Sequence, residues 1–237
     1  MDGETPSPLS RTIVLCALLG VLILGGLAWR NQASRGVSGE SAGPTIERQP
    51  VNFANRTFDP SSPPPDMPPL SYGEYAQCDS RFLSNADVGG LTRQADAAHA
   101  TVTVTRIKVT LQLDITTWLP AQVSQHVIEH EEGHRQISEY YYQTADKVAE
   151  RVAATYMGKQ IDIAGPDLNA ESSKALQNVA TEITDEYNKE LNPEPTQLLY
   201  DSITNHGVND VVSKDAAEHA IRNSVIDAPQ PPASSGN

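Results

Sequence analysis

The feature that most constrains the fold of this chain is a change in hydrophobic period near residue 120. Apolar residues alternate with polar ones over residues 101–117, and from Pro120 onward they recur every three or four residues. A period of two is typical of a half-buried strand, and a period of 3.6 is typical of a helix that buries one face. The two patterns in succession predict a strand that is followed directly by a helix.

The strand pattern changes phase at Thr105 and Arg106. Val102 and Val104 share one phase, and the apolar residues between 107 and 115 share the other. Side chains of a strand alternate between its two faces, so a continuous regular strand cannot bury both sets on one face. We therefore expect either two strands or one strand with a bulge at this point.

The helical period continues from Pro120, which suits a first helical turn, to Gly158, a natural C-terminal stop. A helix of this length is unusual, so a kink or a break is expected within it. Further helices are predicted at about 170–191, 195–204 and 209–223. The elements together predict a strand-rich segment that is followed by helices.

Residues 12–29 are uncharged and almost wholly apolar, and Arg11 and Arg30 flank them. A run of this length is enough to cross a bilayer as a helix, and it is longer than the apolar part of most signal peptides. We predict an uncleaved transmembrane anchor, with a cleaved signal peptide as the alternative. Arg30 and Arg35 follow the span and only Arg11 precedes it, which by the positive-inside rule would put the C-terminal part in the cytoplasm.

The predicted organisation has five parts. An N-terminal flank (1–11) precedes the anchor (12–29), and residues 30–69, rich in Pro, Ser and Gly, are predicted to be a linker. The folded domain is placed at 70–226, and residues 227–237 are predicted to be a disordered tail.

The charge and the cysteines exclude several classes of protein. The formal net charge is -13, and an acidic surface argues against nucleic acid as a partner, because phosphate binding needs clustered Lys and Arg. The chain has two cysteines, Cys16 inside the apolar run and Cys78 far downstream. This number excludes a disulfide framework and a cysteine-based zinc site.

A motif on the predicted helix indicates metal chemistry. His130 and His134 are four residues apart, so both imidazoles lie on one helix face and can bind a single ion. Zinc suits imidazole ligands. Glu131 follows the first histidine and is the candidate general base for a water activated by the metal. A solvated acidic helix face with incidental histidines is the competing interpretation.

A catalytic zinc site needs a third protein ligand. His206 lies before Gly207 at a predicted chain reversal, within a segment that also contains Tyr200 and Asp201. The second predicted helix offers carboxylates as alternatives. They are Glu182, Asp185 and Glu186, and Asp201 in the segment of His206 is a further alternative. His126, one turn before His130, is expected near the site or on the surface rather than as a ligand.

The sequence of elements resembles a bacterial family of predicted secreted zinc-dependent proteases, a domain of unknown function. The similarity covers residues 100–210 and depends on the HExxH motif and on the Tyr-Asp-x-x-Thr-x-His-Gly motif at 200–207. It implies an α+β zincin-like domain, with a small antiparallel sheet packed on a helical core, in the periplasm or outside the cell. It also implies that His206 is the third ligand, that Asp201 orients an imidazole and that Tyr200 stabilises an oxyanion.

Two functions from different classes remain open. The first is a membrane-anchored zinc metallopeptidase that acts on peptides or proteins in the cell envelope. The second is a tethered binding or scaffold module with a structural metal or a lost metal site. Glu131 favours the first, because a purely structural site needs no base at that position. The sequence indicates neither a specificity pocket nor an oligomeric state.

Overall fold

The computed structural model describes residues 43–70 and 73–226, which form one sheet and five helices. The strands are β1 (Thr45–Arg48), β2 (Asn52–Phe58), β3 (Gln77–Gln94), β4 (His99–Pro120) and β5 (Gln160–Ala164). The helices are α1 (Gln125–Gln143), α2 (Ala145–Ala154), α3 (Leu168–Glu190), α4 (Glu194–Thr204) and α5 (Ser213–Ile226).

Strand β4 is the centre of the sheet and pairs with every other strand. One edge of β4 pairs antiparallel with β3 along almost its whole length. Its other edge pairs with three shorter strands in succession, β5 antiparallel and then β1 and β2 parallel. The sheet is therefore a long hairpin with a third row made of short segments.

The predicted phase change in β4 is confirmed as a bulge. Gly89 of β3 lies opposite Arg106, and Gly90 lies opposite Val104, so Thr105 is the extra residue on β4. Because of this residue, Val104 and Ile107 both face the core and are buried. Of the two alternatives, one continuous strand with a bulge is the one that the structure contains.

The predicted fold class, a small antiparallel sheet on a zincin-like helical core, is wrong. The sheet has five strands and is mixed, since β1 and β2 run parallel to β4. The two parallel strands have no strong local signal, because their residues are mostly polar and exposed. Their pairing with β4 spans about sixty residues of chain, and sequence periodicity does not reveal such distant contacts.

The linker predicted at 30–69 is also corrected, because sequence periodicity did not reveal the pairing of β1 and β2 with β4. Both β1 and β2 lie within it and belong to the folded domain. The connection between them is also tied to the core, because the Tyr142 hydroxyl donates a hydrogen bond to the carbonyl oxygen of Gln49 at 2.7 Å. The domain therefore includes residues N-terminal to position 70.

Removing residues 43–70 is expected to destabilise the domain strongly. A fragment of residues 70–226 leaves the edge of β4 that faces β1 and β2 without backbone partners. Each lost hydrogen bond costs about 0.5–1.5 kcal/mol, so we expect a melting temperature lower by at least about 10 °C than that of 43–226. Thermal unfolding followed by circular dichroism measures this, and equal melting temperatures would contradict the assignment of β1 and β2 to the domain.

The core lies between one face of the sheet and three helices. The buried face of β4 is almost wholly aliphatic, and it packs against side chains of α1, α2 and α3. Its fully buried members include Ile107, Leu111, Leu113 and Ile115. Burial of each such side chain stabilises the fold by about 1.5–3 kcal/mol. Helices α4 and α5 do not contact the sheet; they pack on α1 and on each other.

The long helix predicted from Pro120 to Gly158 consists of two helices. Pro120 ends β4, and α1 begins after Ser124, whose side chain accepts a hydrogen bond from the backbone N–H of Val127. The break lies at Thr144. There Arg48 of β1 donates hydrogen bonds to the carbonyl oxygens of Tyr142 and Gln143, which satisfies two acceptors at the end of α1.

The other predicted helices agree with α3, α4 and α5 to within a few residues, whereas β5 was not predicted. Its signal is the alternation of Ile161 and Ile163 after Gly158, which is too short to stand out. No helix among residues 43–70 and 73–226 is long and apolar enough to cross a membrane. The predicted anchor at 12–29 and tail at 227–237 lie outside the described residues.

Candidate metal centre

The predicted metal-binding helix face of α1 packs against α4 and α5. The contact is built from Ile137 of α1, Tyr200 of α4 and three alanines of α5, all of them buried. Small alanine side chains allow α5 to approach closely. This packing places Asp201, the residue after Tyr200, beside the two histidines of α1.

Three side chains converge at this interface: His130 and His134 from α1, and Asp201 from α4. The Nε2 atoms of the two histidines are 3.2 Å apart. Asp201 Oδ1 lies 2.9 Å from His134 Nε2 and 3.4 Å from His130 Nε2. The side chains are 6%, 15% and 15% exposed, respectively, so the cluster is at the edge of the interior rather than on the surface.

The donor set fits a metal ion. At metal–ligand distances of about 2.0–2.1 Å, the ligand atoms of a tetrahedral zinc site lie roughly 3.3 Å apart, close to the separations seen here. Asp201 Oδ1 is buried, yet no donor among the described residues is oriented to form a regular hydrogen bond with it. A buried acceptor without a donor is costly. A cation between the three atoms would remove that cost.

The electrostatics of the cluster also favour a cation. Burial alone would raise the pKa of Asp201, but its interactions with the two imidazoles outweigh burial and hold the pKa well below its usual value. Burial lowers the pKa of His130. Burial acts in the same direction on His134, yet Asp201 more than offsets it and the pKa of His134 is raised. The site therefore contains a carboxylate that stays ionised beside imidazoles.

Glu131 is buried beside this cluster, with 4% of its surface exposed. Its carboxylate accepts a hydrogen bond from the backbone of Cys78 at the start of β3, and the charges of His134 and Asp201 act on it. Burial is the main reason that its pKa is raised to about 7. A carboxyl group with a pKa near neutrality is suited to proton transfer at physiological pH.

Tyr200 supports the site from inside the protein. It is fully buried, and its hydroxyl donates a hydrogen bond to the carbonyl oxygen of His130 at 3.0 Å. Its ring stacks on the His130 imidazole with centroids 5.0 Å apart and meets His134 edge-on. Burial raises its pKa to about 12. This position suits support of the imidazoles rather than the predicted contact with a substrate oxygen.

Gly133 is explained by the same tyrosine. A Cβ atom at position 133 would overlap the Tyr200 phenol, with Oη and Cζ both well inside 3.0 Å. The space beside Gly133 is filled by the ring that supports His130.

Gly133→Ala is therefore expected to destabilise the protein, although alanine normally stabilises a helix by about 1 kcal/mol relative to glycine. Forced overpacking of this kind costs about 1–3 kcal/mol or more. Urea unfolding measures the change in the free energy of unfolding. Gly43→Ala is the control, since a Cβ there meets nothing within 4 Å and should change little. A more stable Gly133→Ala protein would contradict the packing of Tyr200.

A left-handed turn closes the site after α4. Asn205, His206 and Gly207 have φ values of 47°, 53° and 72°. This confirms the predicted chain reversal and brings the backbone of Gly207 against His130, where a Cβ atom would lie 2.9 Å from Cγ. Two successive non-glycine residues with positive φ are uncommon and cost energy. The turn is held in place by its packing on His130.

His206, the predicted third ligand, lies at the rim of the cluster. Its imidazole is half exposed, and its Nδ1 atom is 3.9 Å from Asp201 Oδ1. The group of three within ligand distance contains Asp201 instead. The sequence alone favoured His206 and left Asp201 open as an alternative ligand, and the resemblance placed Asp201 behind an imidazole. One sequence signal favours Asp201: it lies within α4, and the packing of α4 on α1 directs its side chain towards the histidines. His206 lies after the end of that helix.

The alternative carboxylates do not reach the site. They lie on α3, which packs on the sheet and on α2 and does not contact α1 or α4. Glu182 pairs with Lys159, Glu186 accepts a hydrogen bond from Tyr156, and Asp185 is exposed. His126 is partly buried, and its Nε2 atom has no hydrogen-bond partner among the described residues. The third position is therefore a choice between Asp201 and His206.

The fold and the site together define a domain with a mixed sheet, one helical layer on it, and a possible metal-binding triad of His130, His134 and Asp201. Comparisons with protein-family models, with curated proteins and with solved structures find no match for this chain. The resemblance to secreted zinc-dependent proteases accordingly stays a prediction.

Proposed function

We propose that this protein is a zinc-dependent hydrolase that cleaves peptides or proteins. The observation that carries the proposal is the convergence of His130 Nε2, His134 Nε2 and Asp201 Oδ1 within 2.9–3.4 Å, with a buried glutamate next to the first histidine. Two imidazoles and one carboxylate form a donor set that suits zinc and leaves a fourth position for water or substrate.

Each residue of the site has a distinct task. His130, His134 and Asp201 would hold the ion. Zinc supplies Lewis acidity, which polarises a carbonyl group and makes water a nucleophile near neutral pH. Glu131 would take a proton from water and transfer it to the leaving amine. Tyr200 keeps the His130 ring in place, and the half-exposed His206 is free to contact substrate at the rim.

Metal content and peptidase activity of the full-length protein test the proposal together. Protein purified in zinc-supplemented detergent buffer is expected to contain about one zinc per chain, with His130→Ala containing none. The wild-type protein should cleave members of a broad peptide library, and a chelator should abolish cleavage. His219→Ala is the matched control, because His219 lies on the exposed side of α5.

The outcomes separate the two classes of function. Zinc without cleavage of any peptide, ester or amide would favour the tethered binding or scaffold module with a structural metal. Absence of zinc after metal-replete purification would refute the metal site and the enzyme with it.

We also propose that the domain acts in the cell envelope and is anchored by residues 12–29. The support is the uncharged run and the sequence resemblance; the excess of arginines after the run points the other way. A compartment-specific reporter fused to the C-terminus is expected to be active only outside the cytoplasm. Activity in the cytoplasm alone would refute this location.

A further inference from the structure

The side chain of Gln197 contacts a metal-binding histidine in a way that no sequence motif indicates. It lies on α4, one turn before Asp201, and is partly buried against α1. Its Oε1 atom is 2.7 Å from His134 Nδ1. Its Nε2 atom donates to the carbonyl oxygen of His134 at 3.2 Å and to Ser138 Oγ at 3.0 Å.

The contact with the His134 carbonyl determines whether the amide oxygen or the amide nitrogen of Gln197 faces His134 Nδ1. The backbone carbonyl of His134 can only accept hydrogen bonds, so the amide nitrogen of Gln197 must face it. The opposite orientation would set two oxygens against each other at this distance. The amide oxygen is therefore the atom that faces His134 Nδ1, and an oxygen can only accept there. This contact favours the hydrogen on Nδ1, in competition with Asp201 Oδ1, which lies 2.9 Å from Nε2.

The position of this hydrogen determines whether the other ring nitrogen, Nε2, has a free lone pair. When neutral His134 carries its hydrogen on Nδ1, the lone pair is on Nε2, which points at Asp201 Oδ1 and at His130 Nε2. Free neutral imidazole side chains exist as a mixture of both tautomers, so an orienting partner prepares the ring for a metal. Ser138 secures that partner, because its Oγ atom also lies 2.9 Å from Ser80 Oγ on β3.

We propose that Gln197 is a positioning residue that fixes the Nδ1–H tautomer and the orientation of His134. Through this contact α4 contributes twice to the site, with a carboxylate at Asp201 and with the amide that orients the opposing imidazole. The effect of Gln197 on zinc affinity rests on the proposed function, whereas the tautomer is a property of the metal-free protein.

The test is two-bond ¹H–¹⁵N correlation NMR on metal-free full-length protein with ¹⁵N-labelled histidine, at alkaline pH where the rings are neutral. The His134 signals are assigned by comparison with His134→Ala. Wild-type protein is expected to show the Nδ1–H pattern for His134. Gln197→Met should shift His134 towards Nε2–H. Gln177→Met, at an exposed glutamine of α3, is the matched control and should match wild type.

Zinc affinity provides the second readout. Loss of an orienting partner typically weakens metal binding by about 10–100-fold, which we expect for Gln197→Met and not for Gln177→Met. An Nε2–H pattern for His134 in the wild-type protein overturns the proposal, whether or not Gln197→Met folds. An unchanged Nδ1–H pattern in folded Gln197→Met overturns it as well. Because both NMR results are obtained without zinc, they are independent of whether the protein is a peptidase.

Discussion

Asp201→Ala is expected to lower the zinc affinity of the full-length protein by more than about 100-fold, because a lost ligand costs more than a lost orienting partner. Asp201 Oδ1 lies 3.4 Å from His130 Nε2 and 2.9 Å from His134 Nε2, and the pKa of Asp201 is held low, so its carboxyl group is ionised and available as a ligand. Titration against a zinc-binding dye measures the affinity, and circular dichroism verifies that the variant folds.

Two further variants make this result specific. His206→Ala is expected to stay within about tenfold of the wild-type affinity, since its imidazole is half exposed and outside the group of three. Asp210→Ala removes an exposed carboxylate from the loop between α4 and α5 and should leave the zinc affinity unchanged. Loss of zinc in His206→Ala together with retention in Asp201→Ala would restore His206 as the third ligand and make Asp201 its orienting partner.

Glu131→Gln is expected to keep zinc and lose turnover. The amide has the same shape as the carboxylate and can still accept the hydrogen bond from Cys78, so the fold and the ion should be retained. It cannot take a proton from water. General base catalysis typically contributes 10²–10⁴-fold, so we expect kcat to fall by about that factor with zinc affinity nearly unchanged.

The matched control is Glu129→Gln on the same helix. Glu129 is exposed and accepts a hydrogen bond from Gln125 at 3.0 Å, so its amide variant should keep both zinc and turnover. Wild-type turnover in Glu131→Gln would exclude Glu131 as the base, while the metal site would stand. Loss of zinc in Glu131→Gln would instead show that this carboxylate helps to hold the ion.

The sequence alone determined the elements whose signal is local. Alternation along β4 revealed both the strand and its bulge, because the period of a strand is read from neighbouring residues. The same applies to His130 and His134, which share one face of α1 whatever that helix packs against. Gly207 is also a local signal, because glycine readily adopts positive φ values. Its φ of 72° belongs to the turn after α4.

Only the tertiary structure decided the sheet and which side chain joins the two histidines in the candidate triad. Strands β1 and β2 have few apolar residues, and their parallel pairing with β4 joins segments far apart in the chain. The choice between Asp201 and His206 depends on how α4 is rotated about its axis against α1. Tyr200 fixes this rotation, because its ring fills the space over Gly133. Contacts between distant segments depend on packing and shape, and no local pattern of residues encodes them, so a motif that contains both candidates cannot rank them.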